Sequence, residues 1–247
     1  MPEETKTATI TCPRCGAQGE APIWDEIDAQ TARRDARHVL NETLFEVKCN
    51  QCGNASSLNY PLVYHDGTLK FLVQYVTDPN AAEQAGGDIE RTARHMIGKA
   101  ARAAAAESKA TAFEAEAAGA LAAASDDALD GYTLRIVTTR DDLREKVVVL
   151  RNGLDDRAVE VLKLTTFNLA ASQNKLKGAT SARFGGITKA GDILVEFVGG
   201  RRHRETKVPA ALYEQVRADV AASGDEGLII GRAWAERFLE HKADAQA

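Results

Sequence analysis

The hydrophobic pattern is clearest in two short alternating segments in the first third of the chain. Apolar and polar positions alternate through "SSLNYPLVYHD" and again through "TLKFLVQYVT", which is the period of a strand with one buried face. Asp66 and Gly67 stand between the two segments, and an Asp-Gly pair is a strong local signal for a hairpin turn. We therefore predict a β-hairpin here.

The residues before this hairpin mix extended and helical patterns. A short extended stretch runs through Ile23 and Trp24, a polar helical segment follows from about Ala29 to Leu40, and "LFEVKC" has the pattern of a strand. Residues 1–80 are therefore predicted to form a small β domain with a helical insert.

The composition changes sharply in residues 81–130, where alanine makes up about two residues in five. Alanine is the strongest helix former, and Asp88 stands where an N-cap would precede the helix. Large apolar residues are few, and Gly98 and Gly119 weaken the helix further. We predict a helical linker between two domains.

Residues 131–247 alternate between strand and helix patterns. "YTLRIVTT" alternates as a strand does, Leu143, Val147 and Leu150 then share one helical face, and Asp155 is placed to cap a second helix.

The remainder of this part predicts a three-stranded antiparallel meander, with turns at residues 190–192 and 199–200. Pro209 marks the first turn of a helix. A last helix carries its apolar residues on one face, namely Ile230, Trp234 and Phe238. The predicted class is α+β: a β domain over 1–80, an alanine-rich linker over 81–130 and a small α+β domain over 131–247.

Composition and charge limit the functional classes. The chain has 247 residues and a formal net charge of −5, which gives no whole-protein attraction to nucleic acid or to an anionic membrane. No apolar run approaches the ~20 residues that cross a bilayer, and the acidic first residues lack the features of a secretory signal. We expect a cytoplasmic protein with no membrane partner, in a compartment that keeps thiols reduced.

The four cysteines of the chain form two pairs of identical spacing, "CPRC" and "CNQC", each followed by glycine. Two residues between cysteines place both sulfurs on one side of a metal ion, and the glycines can adopt the positive φ of such a turn. Arg14 and Lys48 are neighbouring cations that favour clustered thiolates. The alternative is two independent free or redox-active pairs. We predict one structural Zn²⁺ per chain, bound by Cys12, Cys15, Cys49 and Cys52.

Zinc also suits the size of the predicted domain. A unit of residues 1–80 buries only a small core, and such units commonly rely on a metal or on disulfides. Four thiolates leave no open coordination position, which is typical of structural rather than catalytic zinc.

Several segments resemble the CpXC domain family of bacterial and archaeal zinc-ribbon-like proteins, namely "CPRCG", "IWDEID", "LFEVKCNQCG", "YPLVYHD" and "FLVQYV". The segment from "YTLRIVTT" to "VEVLKL" is similar to a C-terminal part found in many members. One departure is Asn50, where the full motif has proline. The resemblance implies metal binding and a two-part architecture, and it implies no particular activity.

Sequence motifs for catalysis are absent: the chain has no P-loop, no Gly-x-Ser-x-Gly and no His-Glu-x-x-His. His65 and Asp66 are adjacent, so on a strand they point to opposite faces, and we interpret His65 as structural and Asp66 as a turn residue. The acidic segment with Asp25, Glu26 and Asp28 is interpreted as a solvated turn.

The sequence leaves two functional hypotheses. The first is a non-enzymatic zinc module that acts as a protein-interaction adaptor. Its contact face would be the aromatic residues of the hairpin, namely Tyr60, Tyr64, Phe71 and Tyr75. The alternative is that these aromatic residues form the core. The second is a nucleic-acid-binding zinc ribbon that uses the basic strand "RRHRETK", with Arg201, Arg202, Arg204 and Lys207. That run lacks an aromatic platform for stacking. An enzyme is a distant third hypothesis.

Overall fold

The structure is a computed structural model and describes residues 5–200 and 204–245. Helices and several small sheets are mixed along the chain, so the predicted α+β class is confirmed. Backbone contacts divide the chain into two compact units, residues 1–147 and residues 148–247. Each unit is described separately below.

The first unit begins with two antiparallel hairpins that each carry one cysteine pair in the connecting loop. Their strands are β1 (Lys6–Thr11) with β2 (Gln18–Ile23), and β4 (Glu46–Lys48) with β5 (Ala55–Ser57). Between the hairpins lie β3 (Glu26–Asp28) and α1 (Arg33–Leu40). The predicted helical insert is therefore present but starts later than Ala29, because residues 26–28 pair in a sheet.

A four-stranded sheet forms the centre of the first unit. Its order is β3, β6 (Leu62–Asp66), β7 (Phe71–Tyr75) and β8 (Thr133–Val137). The predicted hairpin is the antiparallel β6–β7 pair, whereas β3 pairs with β6 and β8 pairs with β7 in parallel. Since β8 completes this sheet, the first unit extends to residue 147, well beyond the boundary at residue 80 that the sequence suggested.

Three of the four hairpin aromatics are core residues and not a contact face, and the fourth, Tyr60, is half-buried. Tyr64 is 0% exposed, Phe71 1% and Tyr75 3%, and most of their neighbours in β6 and β7 are also buried. Central strands covered on both faces bury nearly every side chain, which the alternating sequence pattern did not indicate.

The alanine-rich segment folds into a helical hairpin within the first unit. A single 3-10 turn (Pro79–Ala81) leads into α2 (Ala82–Glu107), and α3 (Ala112–Ala124) follows. The guanidinium of Arg94 donates to the carbonyl of Ala123 at 3.2 Å, and Arg102 pairs with Glu116 at 3.2 Å. Early residues of α2 therefore face late residues of α3, so the two helices are antiparallel.

Asp88 is not an N-cap, because α2 begins six residues earlier, at Ala82. The carboxylate of Asp78 instead caps the preceding 3-10 turn by accepting from the backbone N of Asn80 at 2.9 Å.

The second unit contains the predicted meander: β9 (Ser181–Ile187), β10 (Ile193–Val198) and β11 (Arg204–Val208), antiparallel with β10 in the centre. Its helices are α5 (Asp156–Ser172), α6 (Ala210–Ser223) and α7 (Arg232–Asp244). Helix α4 (Arg140–Arg151) precedes them and includes the division at residue 147.

Several predictions for this unit are confirmed. Asp155 caps α5 by accepting from the backbone N of Arg157 at 2.9 Å, and Pro209 precedes the first turn of α6. Trp234 and Phe238 lie on α7 and are buried in one cluster with α5, as predicted, whereas Ile230 joins the same cluster but precedes α7, which begins at Arg232. Among the helices that the structure describes, none has the length and apolar character of a membrane span.

Candidate metal centre

Two loops of matching backbone geometry present the four cysteines. In the loop between β1 and β2, the N–H of Cys12 donates to the carbonyl of Ala17 at 2.8 Å, and the N–H of Gly16 donates to the carbonyl of Cys12 at 2.9 Å. In the loop between β4 and β5, the N–H of Cys49 donates to Asn54 and that of Gly53 to Cys49, both at 2.9 Å. The two cysteine loops therefore have the same backbone hydrogen-bond pattern.

The two loop glycines have the backbone conformation that the sequence predicts. Their φ angles are 73° at Gly16 and 69° at Gly53, in the left-handed region that glycine adopts without steric cost. The turn that each glycine permits places the preceding backbone N–H groups near a sulfur.

These backbone N–H groups stabilise thiolate charge in both loops. Hydrogen bonds from the backbone of Cys15 and Arg14 lower the pKa of Cys12 to about 6. Equivalent bonds from Cys52 and Gln51 lower the pKa of Cys49. Cys12 is therefore prepared to ionise near neutral pH, and the backbone bonds at Cys49 act in the same direction.

The sulfurs of the two loops converge on one point. Cys12 Sγ lies 3.7 Å from Cys52 Sγ, and Cys15 Sγ lies 3.7 Å from Cys49 Sγ. All four Sγ atoms lie within 4.8 Å of one another. A disulfide requires an S–S distance of about 2.05 Å, so the four thiols are separate and face a common centre.

The fourth cysteine shows why such a cluster needs a cation. The backbone of Asn54 acts to lower the pKa of Cys52, but burial and the surrounding sulfurs raise it to about 12. Full ionisation of the four thiols therefore requires a positive charge among them. The side chain of Lys48 lies beside the second loop, with its Cε 3.9 Å from the position of a Cβ at Gly53. The four cysteines thus form a site that could bind a metal ion.

A family model described as "CpXC protein" matches residues 10–163, which is more than half of the chain. The chain belongs to the CpXC family. The matched range contains both cysteine loops, the four-stranded sheet and the α2–α3 hairpin, and it ends within α5. The family resemblance drawn from the cysteine and hairpin motifs is therefore confirmed. No curated protein and no solved structure matches the chain.

Within the CpXC region, the acidic segment is not a solvated turn. Asp25 pairs with Lys6, and Glu26 accepts from Lys99 Nζ at 2.9 Å. Asp28 is 2% exposed. Asp25 remains exposed just before β3, whereas Glu26 and Asp28 lie in β3, the edge strand of the sheet, a position that their composition alone did not reveal.

His65 is a buried residue whose partner is Asp28 and not its neighbour Asp66. The Nδ1 atom of His65 lies 2.6 Å from Asp28 Oδ2, and its Nε2 lies 3.1 Å from the hydroxyl of Tyr132. Asp66 serves the turn as expected, since its Oδ1 accepts from the backbone N of Leu69 at 3.1 Å. The sequence interpretation of Asp66 is therefore confirmed, whereas the Asp28–His65–Tyr132 chain was missed.

Burial acts to raise the pKa of Asp28, but hydrogen bonds from His65, Thr31 and Gln30 outweigh it and hold that pKa below its ordinary value. Asp28 is therefore a carboxylate at neutral pH, and the Nδ1–H of His65 donates to it. Burial first, and then the negative charges of Asp28 and Asp66, raise the pKa of Tyr132.

Of the four basic residues predicted to bind nucleic acid, the structure describes Arg204 and Lys207. Arg201 and Arg202 lie outside the described residues. Arg204 donates through Nη1 to the carbonyl of Lys175 at 2.8 Å, and the exposed Glu205 stands between Arg204 and the exposed Lys207. In its described part, β11 therefore alternates in charge.

Proposed function

We propose that Cys12, Cys15, Cys49 and Cys52 bind one structural Zn²⁺ ion. The observation that supports this most strongly is the pair of 3.7 Å sulfur distances between the two loops. Four thiolates at ~2.3 Å from a tetrahedral ion lie about 3.8 Å apart. The cysteines thus stand close to the spacing that zinc requires.

The ion would act as a structural element and not as a catalyst. Four thiolates complete a tetrahedral shell and leave no position for water or substrate. Binding would hold the β1–β2 hairpin against the β4–β5 hairpin, whose strands are short and expose most of their side chains. Structural zinc supplies an apparent ~10–16 kcal/mol, which exceeds the stability of a typical domain.

Metal analysis of the purified full chain tests this assignment. We expect one zinc per chain in the wild type, none in the double variant Cys49→Ser, Cys52→Ser, and one in the control Gln51→Ala, whose side chain is exposed within the same loop. Iron in place of zinc would overturn the choice of metal. Full zinc content in the double variant would overturn the site.

We further propose that the protein is a non-enzymatic adaptor that binds another protein. Support comes from α3, where Phe113 is 83% exposed and Leu121 75% exposed, about two turns apart on the helix. Exposed aromatic and large aliphatic side chains are the usual anchors of protein interfaces. Ala117, also exposed, continues the apolar surface between them.

Affinity capture with matched variants tests the adaptor role. The bait is the full chain, and the tested variant is Phe113→Ser, Leu121→Ser. The control is Leu169→Ser, Leu212→Ser, which removes two exposed leucines from α5 and α6. We expect specific proteins to be retained after nuclease by the wild type and the control but lost from the α3 variant. Retention of nucleic acid that is released by salt would instead favour the basic-strand hypothesis.

A further inference from the structure

A cleft of about 930 Å³ opens in the first unit, apart from the cysteines. Its walls come from α1, from the turn between β6 and β7, and from the second half of α2. Helix α2 contributes Ala100, Ala101 and Ala104, whose small side chains leave space between α1 and α2. The alanine composition of this segment therefore creates a concave surface.

A buried chain of hydrogen bonds ends at the lining of this cleft. The His65 side chain is 1% exposed and that of Asp28 is 3% exposed, and Tyr132 is partly exposed and lines the cleft. The imidazole also stacks on the Tyr132 ring, with centroids 5.9 Å apart and an interplanar angle of 1°. Burial of an ionised carboxylate beside a histidine is costly unless the two groups pair. Here the Asp28–His65 pair is hydrogen-bonded to the Tyr132 hydroxyl, which lines the cleft.

Arginine side chains lie along the α1 side of the same cleft. Arg33, Arg34 and Arg37 all line it. Within residues 5–200 and 204–245, no carboxylate forms an ion pair with any of these three arginines. The one hydrogen bond that their guanidinium groups make within these ranges runs from Arg37 Nε to the carbonyl of Arg33, at 3.3 Å. Guanidinium groups bind carboxylate and phosphate through paired N–H donors.

We propose that this cleft is a binding site for a small oxyanion, a carboxylate or a phosphate, held by the arginines of α1 and by the Tyr132 hydroxyl. The buried Asp28–His65 pair positions that hydroxyl and sets its hydrogen-bonding role. The site contains none of the four cysteines, so its failure would leave the proposed metal centre untouched.

Anion binding at Tyr132 is linked to the hydrogen bonds of His65. With neutral imidazole, Nδ1–H donates to Asp28, and Nε2 accepts the single hydroxyl hydrogen of Tyr132. After protonation of His65, Nε2–H donates to the phenolic oxygen, so the hydroxyl hydrogen becomes free to donate to an oxyanion. Binding and protonation therefore favour each other.

The charges around this group are mixed. Asp28 lies beside His65, Asp66 acts electrostatically on Tyr132, Lys70 lies near Gly131, and the cleft lining adds Asp35 and Glu107 to the three arginines. The arginines and the two lining carboxylates give a formal balance of +1, which favours an anion of low charge.

Titration of the full-length chain with sulfate, inorganic phosphate and acetate, at constant ionic strength, tests the proposal by calorimetry and by NMR of the histidine rings. Sulfate keeps its charge between about pH 6 and pH 8, where histidine titrates, so its affinity reports on the protein alone. We expect saturable binding that shifts the His65 signals and strengthens as the pH falls. Tighter binding of phosphate or of acetate would identify the ligand class.

Three variants complete the test. We expect Arg34→Gln, Arg37→Gln to weaken binding by about tenfold or more. Tyr132→Phe keeps the aromatic ring, and we expect it to remove the pH dependence. Arg91→Gln is the control, because it removes one exposed arginine from α2 outside the cleft. The proposal is overturned if none of the three anions shifts His65, or if Arg91→Gln weakens binding as much as the α1 variant.

Discussion

Gly119 of α3 lies directly against Gly98 of α2, so that a Cβ built at Gly119 would stand 2.7 Å from the carbonyl oxygen of Gly98. The relationship is reciprocal, because a Cβ at Gly98 would stand 2.8 Å from the carbonyl oxygen of Gly119. Two glycines that each weaken an isolated helix therefore allow two alanine-rich helices to approach closely.

Substituting either glycine with alanine should destabilise the first unit by about 1–3 kcal/mol, because the added methyl group meets backbone atoms that cannot move aside. The matched control is Gly87→Ala in the same helix, where nothing lies within 4 Å of the added atom. That change should stabilise by about 0.5–1 kcal/mol through helix propensity. Urea unfolding of the three variants checks the signs, and equal effects at Gly87 and Gly98 would contradict the close approach.

Local signals were sufficient for several elements of the fold. The Asp66-Gly67 turn, the cap at Asp155 and the helix after Pro209 each depend on a few adjacent residues, and the structure contains all three. The cysteine cluster was also predictable, because its spacing is repeated and each loop needs only its own glycine.

The missed features depend on contacts between distant residues. His65 and Asp28 are 37 residues apart, so no local pattern joins them, and the adjacent Asp66 was the misleading choice. Alanine favours a helix but does not indicate where the helix begins, which explains why Asp88 was wrongly predicted as the N-cap of α2. The strands β7 and β8 pair in parallel although the whole α2–α3 hairpin separates them in the sequence, so no local pattern indicates this pairing.

Replacing Asp28 with asparagine should lower the free energy of unfolding by about 1–3 kcal/mol at neutral pH, because buried His65 loses a charged acceptor. The folded-state pKa of Asp28 is lowered, so its contribution is fully present above its ordinary pKa and is lost as the pH falls through the folded value. The difference between wild type and variant should therefore shrink in acid, and using a difference cancels any metal loss common to both proteins.

The control for this variant is Asp25→Asn in the same segment. Asp25 is 57% exposed and pairs with Lys6 on the surface, so its removal should change stability by less than about 1 kcal/mol at any pH. A difference for Asp28→Asn that stays constant down to strongly acidic pH would argue against an ionised Asp28 in the folded protein.

Metal removal should unfold the metal-bound part and spare the second unit. The chain has two tryptophans, Trp24 in the first unit and Trp234 in the second. In a Trp234→Phe variant, a strong chelator should shift Trp24 emission toward that of exposed indole. In a Trp24→Phe variant, the emission of Trp234 should stay unchanged, because its cluster contains only residues of the second unit. Loss of both signals together would mean that the second unit does not fold without the metal.

Tyr213 should contribute to the second unit through one hydrogen bond, since its hydroxyl accepts from the backbone N of Asp155 at 2.9 Å at the start of α5. Tyr213→Phe leaves that partly buried N–H without its acceptor and should cost about 1–3 kcal/mol. Burial raises the pKa of Tyr213, so the contribution of Tyr213 to the free energy of unfolding is full below the ordinary tyrosine pKa of about 10 and is lost as the pH rises through the folded value.

Denaturant unfolding followed by Trp234 fluorescence in the Trp24→Phe background measures this contribution. Tyr75→Phe, in the first unit, is the control that should leave the Trp234 transition in place, and an unchanged midpoint for Tyr213→Phe would show that the bond adds nothing to the stability of α5.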